Sequence, residues 1–351
     1  VYLFDKELPY YKTTFWTRQW NHCEGCKAVD VQGISLDKAP PPLPRSSRDQ
    51  SVQQKIIKVP PFDIQEIPDA MRLEGMPVAA KLMQRWFAGV LNYAPTDDDL
   101  KAEVNQNGEP YPPCMYDTAT IRMNWILKFK RAEKKYLDLL AKQIHSQIAH
   151  DKLKIILMRY RNIALPFNTW KICKKNMPAL HRHFQFQYIS VGSSLSQKID
   201  EFIESQFHRA GVPDDLTGAL GSFNLYAAPA DVTIDPIERE AVVSSVYVYV
   251  KDSYDFTDKS GDALSQYLGH WSSKGVIIVP YNGIVGQLNI PSLYFPYPVA
   301  RGDVRTKGNV YYPVHNRDFR QWAIKHQRGG DFIIFSDLAR CRLRTPIRVK
   351  L

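Results

Sequence analysis

Apolar and polar positions divide the chain into a helical stretch and a β-rich one. From residue 117 to 161 there is neither Gly nor Pro, and apolar side chains return at helical intervals: Ile121, Trp125 and Ile126, then Tyr136, Leu139, Leu140 and Ile144, then Leu153, Ile156 and Leu157. That spacing predicts two or three helices. Upstream, Ile67-Pro68-Asp69-Ala70-Met71-Arg72 opens a short helix, Gly75-Met76-Pro77 interrupts it, and residues 78–87 resume helical spacing. The pattern changes near residue 180. Residues 181–189 alternate with period two and predict a strand, followed by a helix over 195–207 that Ser194 can cap. From 221 onward the reading is mostly β, with strands over 223–228, 241–251, 275–279, 309–313, 332–335 and 340–349. A short helix over 318–326, ended by Gly329-Gly330, interrupts them. The expected architecture is α+β: a helical N-terminal half followed by a β-rich C-terminal domain, an antiparallel sheet or partly open barrel. Three regions are expected. Residues 1–45 form an aromatic arm and Pro-rich linker, 46–180 a helical domain, and 181–351 the β-rich domain expected to carry the chemistry.

The most informative stretch is 246–256, VYVYVKDSYDF. Alternation puts Val246, Val248 and Val250 on one face and Tyr247 and Tyr249 on the other, and Asp252 and Tyr254 continue the valine face. Two carboxylates and a phenol at the mouth of a strand suit a metal-assisted or acid/base site, because neighbouring carboxylates attract a hard cation or split their pKa values. Asp252 and Asp255 are the candidate metal ligands and Tyr254 the candidate substrate-positioning group. Shared ligation requires a bulge or turn at Ser253–Tyr254, since regular alternation places the two carboxylates on opposite faces. The alternative is a solvated strand end with an Asx turn. His270, in Tyr267-Leu-Gly-His-Trp271, returns beside Asp255 if the flanking strands form a hairpin, and there it can act as acid or base. Its alternative is a half-buried strand histidine.

Composition narrows the classes. With 351 residues and 44% hydrophobic content, the chain can bury a substantial core. A net charge of +10 favours nucleic acid, anionic lipid or phosphorylated partners without choosing among them. No run of about 18 apolar residues predicts a membrane span, and the N-terminal residues lack a secretory pattern. The chain opens on Val1, so an upstream region is expected. Five scattered cysteines do not make a disulfide framework. Cys23-Glu-Gly-Cys26 with His22 has the spacing of half a zinc site, although no second half is visible and an unpaired or oxidised pair is the alternative. His181 and His183 point the same way on the expected strand, as two ligands or as part of an exposed polar face. Arg340, Arg342 and Arg344 line one side of the last strand, where they can hold phosphates or protect an edge. The basic run 128–135 reads as a solvated helix face. Phosphate loops, dinucleotide fingerprints, zinc-protease helices and nucleophile elbows are absent from the sequence.

Three sets of residues carry a resemblance. They are Phe62-Asp-Ile-Gln-Glu-Ile-Pro-Asp-Ala-Met71 with Pro77-Val-Ala-Ala-Lys-Leu-Met-Gln-Arg-Trp-Phe87, Val250-Lys-Asp-Ser-Tyr-Asp-Phe256 with Tyr267-Leu-Gly-His-Trp271, and Asp318-Phe-Arg-Gln-Trp322 with Gly330-Asp-Phe-Ile-Ile334. Together they resemble an uncharacterised bacterial family whose members sit near type VI secretion spike and PAAR genes. The resemblance covers the chain from about residue 55 onward. It implies an interbacterial effector or a companion of one; the expected reading is an antibacterial effector, made in the bacterial cytoplasm and secreted into a target cell's periplasm, with spike, PAAR or chaperone components and a cognate immunity protein as partners. Asp252-Ser-Tyr254-Asp255 is similar to the Asp-x-Tyr-Asp signature of colicin M, a magnesium-dependent hydrolase of the lipid-linked peptidoglycan precursor. That similarity implies Mg2+ held by Asp252 and Asp255 and phosphate-ester cleavage. The His-Arg that follows in colicin M is replaced here by Gly261-Asp262. His270 and a C-terminal arginine are the candidate substitutes. A membrane-perturbing effector and a non-toxic adaptor or immunity partner are the rival readings; nucleic acid is the less favoured partner.

Overall fold

The computed structural model describes residues 62–163, 165–192, 213–258, 265–277 and 311–351, with backbone alone for Val310 and a few short strand segments elsewhere. The arm and linker of 1–45, the His22/Cys23/Cys26 group and the helix expected over 195–207 lie outside the described residues.

In chain order the first half gives α1 (Ile67–Leu73), α2 (Pro77–Ala88), α3 (Asp97–Ala102), β1 (Tyr116–Asp117), α4 (Met123–Ile126), α5 (Lys130–Ala141) and α6 (Gln147–Met158). There follow β2 (Phe167–Asn168), α7 (Thr169–Ile172), α8 (Met177–Phe184), β3 (Gln187–Val191) and α9 (Asp215–Leu220). The last part gives β4 (Phe223–Asp235), β5 (Glu240–Tyr254), β6 (Tyr267–Ser272), β7 (Gly275–Ile277), β8 (Val310–His315), α10 (Asn316–His326), β9 (Phe332–Phe335) and β10 (Ala339–Lys350). The fold is α+β with a curled, open half-barrel sheet, helices lying mostly in the N-terminal part of the described region and strands in the C-terminal part. Its two compact units are each discontinuous in sequence, one drawn from 1–111, 199–219 and 255–331, the other from 112–198, 220–254 and 332–351. The chain therefore passes between them repeatedly.

The second unit is organised on the long strands β4 and β5. Its sheet runs β1-β9-β5-β4-β2, with β10 also on β5 and β3 also on β4. Helices α5 and α8 pack against this sheet, and as a result both faces of β5 are dry: Val246, Val248 and Val250 are buried, and so are Tyr247 and Tyr249. Each buried phenol has a polar partner, as it must. Asn168 Nδ2 donates to the Tyr247 hydroxyl at 2.9 Å, and His181 Nδ1 lies 3.0 Å from that of Tyr249.

This corrects the first part of the strand expected over 181–189, while residues 187–189 do lie in β3. Residues 177–184 form α8, capped by Asn176, whose side chain accepts from Ala179 N, with Pro178 in its first turn. Met177, Leu180 and Phe184 are its buried face. His181 and His183 are consequently about 200° apart around a helix. His181 meets the sheet tyrosines and His183 is exposed. The arginines of β10 do share an exposed side, and among the described residues β10 pairs only with β5, so it is an edge strand. Arg340 pairs with Asp231 and Arg348 with Glu240.

The first unit is held by α2. Gly75, at φ +75°, ends the preceding turn, and Pro77 begins α2 with a fixed φ. Asp215, at the start of α9, accepts from the N–H groups of both Val78 and Ala79, placing its negative charge at the positive end of α2. Ala79, Ala80, Leu82, Met83, Trp86 and Phe87 form the buried face of α2. After α10 the chain turns through Gln327 in the left-handed region and lays Gly329 against that face. Gly329 has φ +88°, and a Cβ there would lie 2.7 Å from Trp86 Cη2.

Gly108 also has a positive φ, but a Cβ there would meet nothing within 4 Å. Gly108→Ala should therefore cost only the backbone penalty, about 1 kcal/mol, whereas Gly329→Ala adds steric overlap and should cost more than about 2 kcal/mol. Equal losses in chemical denaturation would show that the approach to Trp86 is not tight.

Candidate functional site

Helix α2 carries Trp86 into the middle of the first unit, where its ring is fully buried. It meets Phe256 edge-on at 4.8 Å and Phe319 at 5.6 Å, and those two rings stack at 3.9 Å. A buried indole N–H requires an acceptor. Asp331 Oδ1 provides it at 2.8 Å.

Backbone geometry explains why Asp331 is there. Gly330 N donates to Trp86 O at 3.1 Å and Asp331 N to Asn92 O at 2.7 Å, while Asn92 Nδ2 returns a bond to Asp331 O. The second carboxylate oxygen accepts from Arg320 Nη2 at 2.7 Å. Arg320 comes from α10, whose neighbouring positions Phe319, Trp322 and Ala323 face the core. Its guanidinium lies 4.5 Å from the Tyr93 ring centroid and also donates to Thr257 Oγ1. Asp255 closes the group, with Oδ1 accepting from Thr257 N in an Asx turn.

Electrostatics make this more than a tie between elements. Burial pushes the Asp331 carboxyl up to about 7, and the negative charge of Asp255 adds to the rise. The attraction of Arg320 and the hydrogen bonds from Trp86 and Arg320 act the other way without reversing it. Burial likewise raises the Tyr111 phenol, helped by the charges of Asp331 and Asp255. Three donors of this unit remain unused: Tyr111 Oη, Arg320 Nη1 and Trp322 Nε1 are buried without a hydrogen-bond partner among the described residues. Leaving such groups unmade is costly, so they mark a place where an acceptor belongs. A carboxyl that exchanges its proton near neutrality beside a guanidinium can protonate one oxygen while the guanidinium holds a negative one. Tyr93, Asp255 and Thr257 are half-buried.

The residues singled out from the sequence are not gathered as expected. Asp252 is half-buried on β5 in the second unit, opposite Ile334, and its charge helps to raise the Tyr226 phenol after burial. Tyr254 is buried and stacks on Phe332 at 5.0 Å, an apolar setting that raises its own phenol. It does not stand at an open strand mouth. Pairing of β5 with β9 is regular through Lys251, Asp252, Ser253 and Tyr254, without the bulge that shared ligation requires. Asp255 belongs to the first unit. No group of three or more His, Cys, Asp and Glu placed to hold a metal is found among the described residues. The Mg2+ expected at Asp252 and Asp255 thus rests on the sequence resemblance. His270 is fully buried on β6, bonded through Nδ1 to the Tyr267 hydroxyl. Strand β6 pairs with β7 and β8, so the hairpin that would return His270 along β5 is not formed.

Of the expected site, then, only Asp255 joins the centre described here. Asp331, Arg320 and Tyr111 were not singled out. A signal for two of them was present, since Trp86, Asp255, Arg320 and Asp331 all lie within the stretches quoted above for a family resemblance, and those stretches converge on one carboxyl group. Tyr111 gives no such sign.

Residues 62–351 match the model of a family of unknown function, DUF6402, and the chain belongs to that family. Neither the comparison with curated proteins nor that with solved structures gives a match.

The Asp331 carboxyl makes stability depend on pH with a definite sign. Its pKa is raised in the folded state from an ordinary 3.8 to about 7. The folded protein therefore binds the extra proton between these values, and stability falls as pH rises across that window. Asp331→Asn removes the effect. The stability of the variant minus that of the parent should grow by about 2–3 kcal/mol between pH 5 and pH 8, at roughly 1.4 kcal/mol per pH unit. A difference that stays flat would contradict the raised carboxyl.

Proposed function

We propose that this member of the DUF6402 family is an antibacterial effector of a type VI secretion system, and that its chemistry is acid/base hydrolysis of a phosphate ester in a lipid-linked cell-envelope precursor. The observation that carries the reading is the Asp331 carboxyl, poised near neutrality and bonded to Arg320, whose Nη1 is unused, with the unused phenol Tyr111 Oη feeling the Asp331 charge. A phosphoryl oxygen accepts from these two donors. Water attacks phosphorus and the bond to the leaving oxygen breaks. Asp331 gives its proton to that oxygen and recovers one from the attacking water, so the enzyme ends as it began. Burial, helped by the negative charge of Asp255, favours the protonated form of the resting carboxyl. The type VI resemblance supports delivery by spike, PAAR or chaperone components, self-protection by an immunity protein, and action in the periplasm of the target cell. A second reading, a non-toxic adaptor or immunity partner, is favoured by the edge strand β10, which a partner strand can extend.

Expression in a sensitive bacterium separates these readings. Growth should stop when the chain is exported to the periplasm and continue when it stays in the cytoplasm. Asp331→Asn and Arg320→Lys should each reduce toxicity on the order of a hundredfold, with expression level and thermal unfolding preserved at pH 6. Toxicity of the parent should survive growth with a chelator if Arg320, rather than a cation, neutralises the phosphate. Equal killing in the cytoplasm would redirect the reading to nucleotides or nucleic acid. Harmlessness in both compartments would support the adaptor.

A further inference from the structure

Helix α6 in the second unit turns Ala149, Leu153, Ile156 and Leu157 inward, as an amphipathic helix should. Its outer face is unusual. Ile148 is 76% exposed and Ile155 62% exposed, and they alternate with Lys152 and Arg159 along one line of the helix, at i, i+4, i+7 and i+11. The chain leaving α6 continues in the same manner with exposed Arg161 and with Leu165, 76% exposed. Single exposed apolar residues need no explanation, but here they recur within a short segment and are interleaved with cations. Residues 147–165 contain four lysines and arginines against one acid, Asp151, which accepts from Gln147 Nε2.

That pairing of exposed isoleucine and leucine with dense positive charge selects the occupant. A nucleic acid is attracted to the cations but has no use for apolar tips. An ordinary protein partner has no need of so one-sided a charge. An anionic bilayer satisfies both, since aliphatic side chains enter the acyl boundary while lysine and arginine stay at the headgroups. None of the helices among the described residues is long and apolar enough to cross a membrane, so this contact lies in the plane of the surface.

We infer that the outer face of α6 and the segment that follows it, through Leu165, form a peripheral docking surface for an anionic lipid bilayer. The inference stands apart from the Asp331 centre and is independent of whether that centre is catalytic.

The test is co-sedimentation of the full chain with vesicles of phosphatidylcholine alone or containing one-quarter phosphatidylglycerol. Binding should be strong to the second kind, weak to the first, and reduced severalfold in 0.5 M salt. Two variants at exposed positions leave the core untouched, and their thermal unfolding should match the parent. Ile148→Ser/Ile155→Ser/Leu165→Ser should weaken binding at least about tenfold by removing the acyl contact. Lys152→Glu/Arg159→Glu should weaken it by about 25-fold or more, at roughly fivefold per basic residue. Absence of binding to phosphatidylglycerol vesicles would overturn the inference. It would also be overturned if only the charge variant lost binding while the parent bound single-stranded RNA as well as vesicles, or if the serine variant abolished self-association of a chain that never sedimented with lipid.

Discussion

A carboxyl group withdrawn from water at Asp331 is the constraint on which the first unit depends. Burying it would be prohibitive without partners, and the surrounding chain is arranged to supply them. Trp86 brings an indole N–H from α2, Arg320 brings a cation from α10, and Gly329 leaves out the side chain that would keep the 329–331 segment away from the indole. The aromatic packing of Phe256 and Phe319 around Trp86 then excludes water from one side. Removing a partner altogether would leave a buried group unsatisfied, so these elements are energetically coupled although Trp86 and Asp331 are 245 residues apart.

The same arrangement is a poor way to gain stability alone. Buried ion pairs are often no better than well-packed apolar replacements of the same volume. Here the carboxyl remains near neutrality and further donors stay unused, an imbalance that a purely structural pair would have no reason to keep. An incoming anionic oxygen would complete the hydrogen bonding of Arg320 and Tyr111 and give the Asp331 proton a destination. Stability withheld in the resting protein would then be recovered on the substrate.

Much of the β-rich part could be read from local pattern. Residues 332–335, four apolar residues bounded by polar ones, form β9 as expected, and the alternating valines and tyrosines around 246–250 form the middle of β5. Alternation did not reveal that Tyr247 and Tyr249 are also buried, because that depends on helices covering the second face. Period two misled over the first part of 181–189, where Met177, Leu180 and Phe184 carry a helical face and Asn176-Met177-Pro178 is a helix start. The site was harder to find for a related reason. Asp252 and Asp255 attracted notice because they are close in sequence, yet the chain changes unit between Tyr254 and Asp255. Asp331 is inconspicuous in sequence, a lone acid wedged between Gly329-Gly330 and the buried Phe332-Ile333-Ile334-Phe335. That juxtaposition is itself a physical signal, since a charge placed between a close-approach turn and a dry strand must find partners from elsewhere in the fold.

The carboxyl carbon of Asp331, followed by NMR through a pH titration of isotopically labelled protein, measures the central claim directly. The account predicts a midpoint of about 7, lowered in Asp255→Asn, where the repelling charge is gone, and raised in Arg320→Gln, where the attracting one is gone. A midpoint near the ordinary 3.8 that neither substitution moves would contradict it.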